Sequence, residues 1–188
     1  MTTKILVFHP KLDQSRANAA MIRAAQAMSG VEVIDMVGRY AGKPVDVVLE
    51  TRRLLAAERL VLQFPVQWYA PPAALKQWLD DVFTAMYYVH YADSGRLLEG
   101  MPVLVAATAG NLAEAYTPAG QNFFSLPALL QPLEATAYRC KLPWYPPFLA
   151  YWANKLDAAE LARTVAAAEQ QYDMRIVGID GRWHVPPS

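Results

Sequence analysis

The sequence predicts an α/β fold in which one parallel sheet of five strands is covered by helices on both faces. Apolar runs of about five residues recur along the chain, as is typical of strands buried on both faces. They alternate with stretches of about 10–15 residues that show helical periodicity, the order expected of a parallel sheet. With 188 residues, of which 54% are hydrophobic and 18% charged, the chain has the length of one domain and is too apolar for disorder. We therefore expect residues 1–188 to form a single domain.

Each predicted strand is an apolar run bounded by turn residues. The five predicted strands cover residues 5–8, 31–36, 60–64, 102–107 and 148–151. Pro65 follows the third run, and we expect it to end the pairing of that strand because proline has no N–H to donate.

The predicted helices are recognised by apolar stripes and by residues that favour helix ends. They cover residues 16–28, 47–57, 73–83, 126–138 and 158–173. Ser15 is expected to cap the first helix and Gly30 to follow its end. Asp157 and Glu160 are spaced as a capping pair for the last helix, and the tail, residues 178–188, is rich in turn residues.

Composition excludes several classes of function. Lys and Arg total 17 and Asp and Glu total 17, so nothing in the net charge favours nucleic acid or an anionic membrane surface. A lone Cys140 cannot form an internal disulfide, no two histidines have metal-ligand spacing, and no apolar stretch is long enough to span a bilayer. We expect a cytoplasmic protein without a metal. Its 5 Trp, 10 Tyr and 6 Phe indicate an oligomer or a large apolar site.

Ligands of open parallel sheets bind beyond the carboxyl ends of the strands, which directs attention to three loops. The first loop leads into Ser15-Arg16-Ala17-Asn18 at a helix start, where unpaired N–H groups favour a phosphate. Ser15, Asn18 and His9 could add donors. The alternative is that Ser15 only caps the helix and His9 only ends the strand. The glycine-rich loops of Rossmann dehydrogenases and P-loop enzymes are absent.

The other two loops favour a flat ring. Trp68 and Tyr69 lie in a turn stiffened by prolines, which suits stacking and backbone contacts with a heteroaromatic ligand. The alternative is a structural aromatic cluster that covers the sheet. Thr108-Ala109-Gly110, followed by Tyr116, could supply backbone amides to a ring edge, although Thr-Ala-Gly by itself indicates only a turn.

Taken together, the loops carry a resemblance. Residues 63–83, Gln-Phe-Pro-Val-Gln-Trp-Tyr-Ala-Pro-Pro-Ala-Ala-Leu-Lys-Gln-Trp-Leu-Asp-Asp-Val-Phe, closely resemble the signature of the flavodoxin-like NAD(P)H:quinone oxidoreductases. The resemblance extends from Lys4 to about Phe148 and includes residues 116–120. In length the chain looks like the bacterial members of that family. These include drug-modulator proteins and the ancillary subunits of glutathione-gated potassium efflux systems.

The resemblance implies a flavodoxin-like fold and a flavin, FMN or FAD, bound at a homodimer interface, with NAD(P)H as co-substrate. The implied cofactor-binding residues are His9, Ser15, Arg16, Ala17 and Asn18 at the phosphate, Pro65, Val66, Gln67, Trp68 and Tyr69 along the isoalloxazine, and Thr108, Ala109 and Gly110 at its pyrimidine side. Tyr116 matches a tyrosine that stabilises charge on the reduced ring. Tyr91 matches an aromatic from the partner subunit that, with Trp68 and Tyr69, contacts substrate.

Two positions depart from the family pattern. Asn111 replaces the second glycine of the third loop, which would narrow the approach to the ring. Asn122 replaces a histidine proposed as a proton relay in the animal enzymes, and an amide cannot carry a proton at neutral pH. Tyr116 or water would then have to supply any proton at that end.

The leading hypothesis is a reductase that transfers hydride from NAD(P)H to quinones or similar flat acceptors by a ping-pong mechanism. The alternative is a regulatory ancillary subunit that associates peripherally with a potassium efflux transporter and has secondary reductase activity. An electron-transfer flavodoxin is disfavoured because such proteins are strongly acidic. We expect one cleft shared by two subunits, lined by Phe64, Trp68, Tyr69, Tyr87, Tyr88, Tyr91 and Tyr116.

Overall fold

The computed structural model describes residues 2–172 and contains one five-stranded sheet in which every strand pair is parallel. The strands are β1 (Thr3–Val7), β2 (Val31–Asp35), β3 (Arg59–Pro65), β4 (Val103–Thr108) and β5 (Phe148–Ala150). Their spatial order is β2-β1-β3-β4-β5. The strand order therefore reverses between β1 and β3, and the predicted architecture is confirmed.

Pro65 does not end the pairing of β3, contrary to the expectation from the sequence. It is in register with Thr108, and the next residue, Val66, donates its N–H to the Thr108 carbonyl over 2.8 Å. Successive residues of a strand direct their backbone N–H and C=O groups alternately to the strand on one side and the strand on the other. Pro65 faces the β1 side, where the register ends at Val7 and Gln63, so its missing N–H interrupts no bond on the β4 side.

Seven α-helical segments connect and flank the strands within the described residues. They are α1 (Arg16–Gln26), α2 (Met36–Arg39), α3 (Val47–Leu55), α4 (Ala73–Thr84), α5 (Arg96–Leu98), α6 (Leu126–Arg139) and α7 (Ala158–Tyr172). The predicted caps are confirmed: Ser15 Oγ accepts from the N–H of Asn18, and Asp157 and Glu160 accept from each other's N–H over 2.8 Å. Residues 173–188, including His184 and the turn-rich tail, lie outside the described part.

Several short elements were not predicted. Helix α2 begins directly after β2, with Asp35 as its cap, so the predicted second strand ended one residue too late. Two π-helical turns, Ala85–Val89 and Tyr91–Gly95, follow α4. A side chain at Gly95 would place its Cβ 2.6 Å from the Met86 carbonyl oxygen, so glycine allows these turns to pack closely. Neither turn has an apolar period that could reveal it in the sequence.

The core forms two layers, one on each face of the sheet. Alternation along β3 places Leu60, Leu62 and Phe64 in the layer that contacts α4 and α6, while Val61 lies in the layer under α1 and α7. All β strands point the same way, so the segments that leave β1, β3 and β4 emerge at one edge of the sheet. No helix among residues 2–172 is long and apolar enough to cross a membrane.

Candidate active site

Three neighbouring loops at the carboxyl edge of the sheet form the candidate site. We call residues 8–15 the first loop, residues 66–72 the second loop and residues 109–122 the third loop. Phe8 donates its N–H to the Gln63 carbonyl, and Val66 donates to the Thr108 carbonyl, each over 2.8 Å. These bonds hold the three loop origins side by side at the point where the strand order reverses, which is where ligands bind in such sheets.

The first loop ends in a group of hydrogen-bond donors suited to an anion. Ser15 Oγ accepts from the side-chain amide of Asn18 over 3.1 Å, which leaves the serine hydroxyl proton free to donate outward. The N–H groups of Arg16 and Ala17 belong to the first turn of α1 and have no intrahelical acceptor. Together with the positive end of the helix dipole, these groups form a favourable phosphate site.

His9 belongs to the same first loop, and its ring is held in one tautomer. Its Nδ1 accepts the N–H of Lys11 over 3.1 Å, so the neutral ring carries its proton on Nε2. Burial lowers the pKa of His9, against the opposing charges of Asp35 and Asp13. At neutral pH His9 is therefore an uncharged donor.

The side chain of Asn18 is directed into the protein, contrary to the expectation that it would donate to a phosphate. Its Nδ2 donates to Ser15 Oγ and to Thr108 Oγ1 (3.0 Å), and its Oδ1 accepts from Gln63 Nε2 over 3.1 Å. Asn18 is 1% exposed, and both protons of its amide are engaged. The reason is its position in the first turn of α1, on the face that packs against the sheet.

The second loop contains a two-residue turn with unfavourable backbone conformations. Gln67 and Ala70 exchange both N–H···O=C bonds, at 2.9 and 3.1 Å, and enclose Trp68 at φ 46° and Tyr69 at φ 65°. A turn with two positive φ values prefers Asn and Gly, and left-handed backbone costs about 1–2 kcal/mol at other residues. Trp68 is nevertheless 93% exposed and Tyr69 46% exposed. Strain that presents two aromatic rings to the outside indicates a ligand-binding role.

The third loop contributes backbone to the site, but it offers fewer free backbone N–H groups than the sequence indicated. Ala109 donates its N–H to the Ala150 carbonyl over 2.8 Å and accepts from the N–H of Ala153 over 3.0 Å, so its backbone is engaged. Thr108 is buried beside Asn18. A Cβ built on Gly110 would meet only the Asn154 amide nitrogen, at 3.6 Å. The open space at Gly110 lets a planar group approach the backbone there.

The side chain of Asn111, the residue after Gly110, is bonded within the third loop. Its Oδ1 accepts the N–H of Leu112 over 2.9 Å, and its Nδ2 donates to Gln121 over 3.2 Å. The side chain therefore closes the third loop upon itself.

Tyr116 and Asn122 lie in the second half of the third loop. Tyr116 packs against Tyr151 with ring centroids 5.6 Å apart, and burial, followed by the neighbouring Tyr69 and Tyr151, raises the pKa of its phenol. Asn122 Oδ1 accepts from the Tyr69 hydroxyl over 3.4 Å, which links the third loop to the second. A Cβ at Gly120 would stand 2.4 Å from a backbone carbonyl oxygen, so glycine is required for this closure.

The seven aromatic residues expected around one cleft do not lie together in a single chain. Phe64 is buried in the main core because strand alternation places it on the sheet face covered by α4 and α6. Tyr87 donates to the Cys140 carbonyl over 3.2 Å, and Tyr91 bonds with Glu99 and Lys141. These contacts are with segments that precede β4 and β5, at the opposite edge of the sheet. Within one chain, Tyr91 is bonded away from the three loops.

The residues at the loops fit a planar ring that carries a phosphate. The first loop supplies neutral and dipolar donors for the phosphate, and the second and third loops supply exposed rings and open backbone space for the plane. Sequence reasoning missed Gln63 and Tyr172, which hold Asn18 in place from β3 and α7. No local pattern marks them, because their partners are 45 and 109 residues away along the chain.

Comparison with known proteins agrees with this architecture. A family sequence profile described as "Flavodoxin-like fold" matches residues 1–176. The chain belongs to this flavodoxin-like family. Among its relatives in the family, an uncharacterised NAD(P)H oxidoreductase, YdeQ, of Bacillus subtilis (strain 168) is 35% identical over 164 residues, which cover 87% of this chain and 82% of that protein.

Two further members of the family are informative. The glutathione-regulated potassium-efflux system ancillary protein KefF of Klebsiella pneumoniae (strain 342) is 33% identical over 173 residues, covering 92% of this chain and 93% of that protein. The crystal structure of general stress protein 14 from Treponema denticola, in complex with FMN, superposes with a TM-score of 0.83 at 29% identity and covers 93% of this chain and 99% of that one.

Proposed function

We propose that this chain is a flavin-dependent reductase that uses NAD(P)H to reduce quinones or similar flat acceptors. The observation that carries the proposal is the second loop, in which backbone strain presents Trp68 and Tyr69 outward beside the anion-binding end of α1. FMN is the favoured flavin, because a relative of similar length was solved with FMN. A bound flavin supplies the two-electron chemistry that no side chain provides.

The residues of this chain would bind and orient. Ser15, the Arg16 and Ala17 amides and the Nε2–H of His9 would hold the phosphate, with His9 neutral at pH 7. Pro65 to Tyr69 would lie along the ring edge and Gly110 beneath it. Three other groups would support the site without touching the flavin, because each is already bonded within the protein. They are the backbone of Ala109, the hydroxyl of Thr108 and the amide of Asn18.

Tyr116 would hold the proton at the reacting end. Its raised pKa keeps the phenol protonated at neutral pH, so Oη can donate a hydrogen bond to an oxygen that gains charge. Asn122 cannot take up that proton, and its role would be to accept from the Tyr69 hydroxyl and keep the aromatic turn in place.

A homodimer would complete the site. Tyr88 and Val89 are exposed in the first π-helical turn after α4, and Tyr91 belongs to the second. Tyr138 is exposed in α6, where the next residue, Arg139, lies over the Tyr88 ring. Exposed apolar side chains gathered in this way favour association. In a dimer Tyr91 would reach the site of the partner, where it could contact the acceptor.

The purified protein tests the proposal directly. We expect a flavin absorption spectrum, NADPH oxidation that depends on menadione, and parallel double-reciprocal lines, which are the sign of alternate occupancy of one site. Ser15→Ala should release flavin, whereas Ser125→Ala, which removes the matching cap bond of α6, should not. A colourless protein that takes up no added flavin would overturn the proposal.

A regulatory role beside a transporter is the second candidate, and the similarity to KefF over 92% of this chain favours it. In that case the protein should co-purify with a potassium–proton antiporter encoded near it. Ion efflux by that antiporter should fall when the protein is deleted. Full efflux in the deletion strain, together with menadione reductase activity, would leave only the enzymatic function.

A further inference from the structure

A chain of buried hydrogen bonds connects the last described helix to the anion-binding end of α1. The Tyr172 hydroxyl donates to Gln63 Oε1 over 2.7 Å, and Gln63 Nε2 donates to Asn18 Oδ1 over 3.1 Å. Asn18 Nδ2 then donates to Ser15 Oγ over 3.1 Å and to Thr108 Oγ1 over 3.0 Å. Tyr172 and Gln63 are fully buried, and Asn18 and Thr108 are nearly so.

A backbone carbonyl fixes the direction of these hydrogen bonds. Gln63 Nε2 also lies 3.4 Å from the main-chain oxygen of Asn18, which can only accept. The amide nitrogen of Gln63 must therefore face Asn18, and its oxygen must face Tyr172. Asn18 is oriented in turn, with its oxygen toward Gln63 and its nitrogen toward Ser15 and Thr108.

The outcome at Ser15 is a hydroxyl group whose oxygen is already occupied. Ser15 Oγ accepts from both the backbone N–H and the side-chain amide of Asn18, so its own proton is directed away from them. If both amides were reversed, Asn18 Oδ1 would face Ser15, and the serine hydroxyl would have to donate its proton to that oxygen. Burial raises the pKa of Tyr172, so this residue stays a donor throughout the physiological range.

We propose that Tyr172 and Gln63 are positioning residues that orient the Ser15 hydroxyl as a donor to the flavin phosphate and so set the preference for FMN over riboflavin. This inference rests on the proposed function. Without Tyr172, Gln63 Oε1 is a buried acceptor with no other donor among residues 2–172, so the amide that donates to Asn18 is held on one side only and positions Asn18 and Ser15 less firmly.

The test compares FMN with riboflavin, which has the same ring and no phosphate. The full chain, freed of flavin, is titrated with each ligand, and binding is followed by quenching of flavin fluorescence. Hydrogen bonds to charged groups predict that Ser15→Ala weakens FMN binding by about 10- to 100-fold. Tyr172→Phe should weaken FMN binding by about 3- to 10-fold, and riboflavin binding should change less than about twofold in both variants.

Two further variants separate positioning from loss of stability. Tyr40→Phe removes a tyrosine hydrogen bond of the same 2.7 Å length, to Glu50, away from the three loops, and should leave the FMN-to-riboflavin ratio unchanged. Gln63→Met interrupts the series of hydrogen bonds at its centre without adding charge. It should lower the FMN-to-riboflavin affinity ratio as Tyr172→Phe does. In a Ser15→Ala background, Tyr172→Phe should cause no further loss of FMN affinity.

The possible outcomes are distinct. A selective loss of FMN affinity in Tyr172→Phe and Gln63→Met that disappears in the Ser15→Ala background supports the inference. An equal loss of FMN and riboflavin, or no loss, overturns it and leaves the proposed function standing. If the unmodified protein binds neither flavin, the proposed function falls, and this inference falls with it.

Discussion

Replacing Trp68 with Asn should stabilise the protein while weakening its ligand binding. Trp68 has φ 46°, and Asn tolerates this left-handed conformation, so the substitution relieves about 1 kcal/mol of backbone strain. The side chain is 93% exposed, and truncation therefore gives up less than about 0.5 kcal/mol of burial. The net gain of about 0.5–1 kcal/mol corresponds to a rise of about 1–4 °C in Tm.

The assay is thermal unfolding of the chain freed of flavin, because bound ligand stabilises the folded state on its own account. FMN affinity, measured on the same samples, should fall by about tenfold or more as a stacking wall is lost. Trp68→Phe keeps both the strain and an aromatic ring, and it should change neither Tm nor affinity by much. A lower Tm in Trp68→Asn, or unchanged FMN binding, would refute the view that strain at this turn serves the ligand.

Three other predictions follow from local geometry. Gly110→Ala should fold normally but bind flavin more weakly, whereas Gly120→Ala should lower Tm by several degrees, because its Cβ would lie 2.4 Å from a carbonyl oxygen. Buried tyrosines with raised pKa values stay protonated when their unfolded counterparts ionise, so the free energy of unfolding should fall above about pH 10, less steeply in Tyr172→Phe. Burial raises the pKa of Cys140 to about 11, so the native thiol should resist a thiol reagent at pH 8 until the protein unfolds.

The fold could be predicted because its determinants are local. Apolar runs mark strands buried on both faces, and the Ser15 and Asp157 caps mark helix starts, so a short window of sequence is enough for each. Pro65 was misjudged for a reason outside that window. Whether proline interrupts a ladder depends on which neighbouring strand it faces. Pro65 faces β1, whose register with β3 ends at Val7 and Gln63.

The candidate site could be predicted in outline but not in detail. Its three loops follow from the strand order, yet the backbone at Trp68 and Tyr69 contradicts local preference, as is expected where function outweighs stability. The orientation of Asn18 was misjudged because its partners, Gln63 and Thr108, are 45 and 90 residues away. A short polar residue at a helix start gives no local indication of whether it faces a ligand or the core.

The two ends of the site should therefore respond to mutation in opposite ways. At the phosphate end, Ser15 is held by Asn18 and Gln63, which are part of the buried core, so substitutions of these two should lower stability and FMN affinity together. At the ring end, Trp68 and Tyr69 are exposed and strained, so replacing either with Asn or Gly should raise stability as affinity falls. A positive correlation between Tm and FMN affinity across phosphate-end variants, and a negative one across ring-end variants, would distinguish a preorganised anion site from a strained stacking surface. A single common trend would contradict this division.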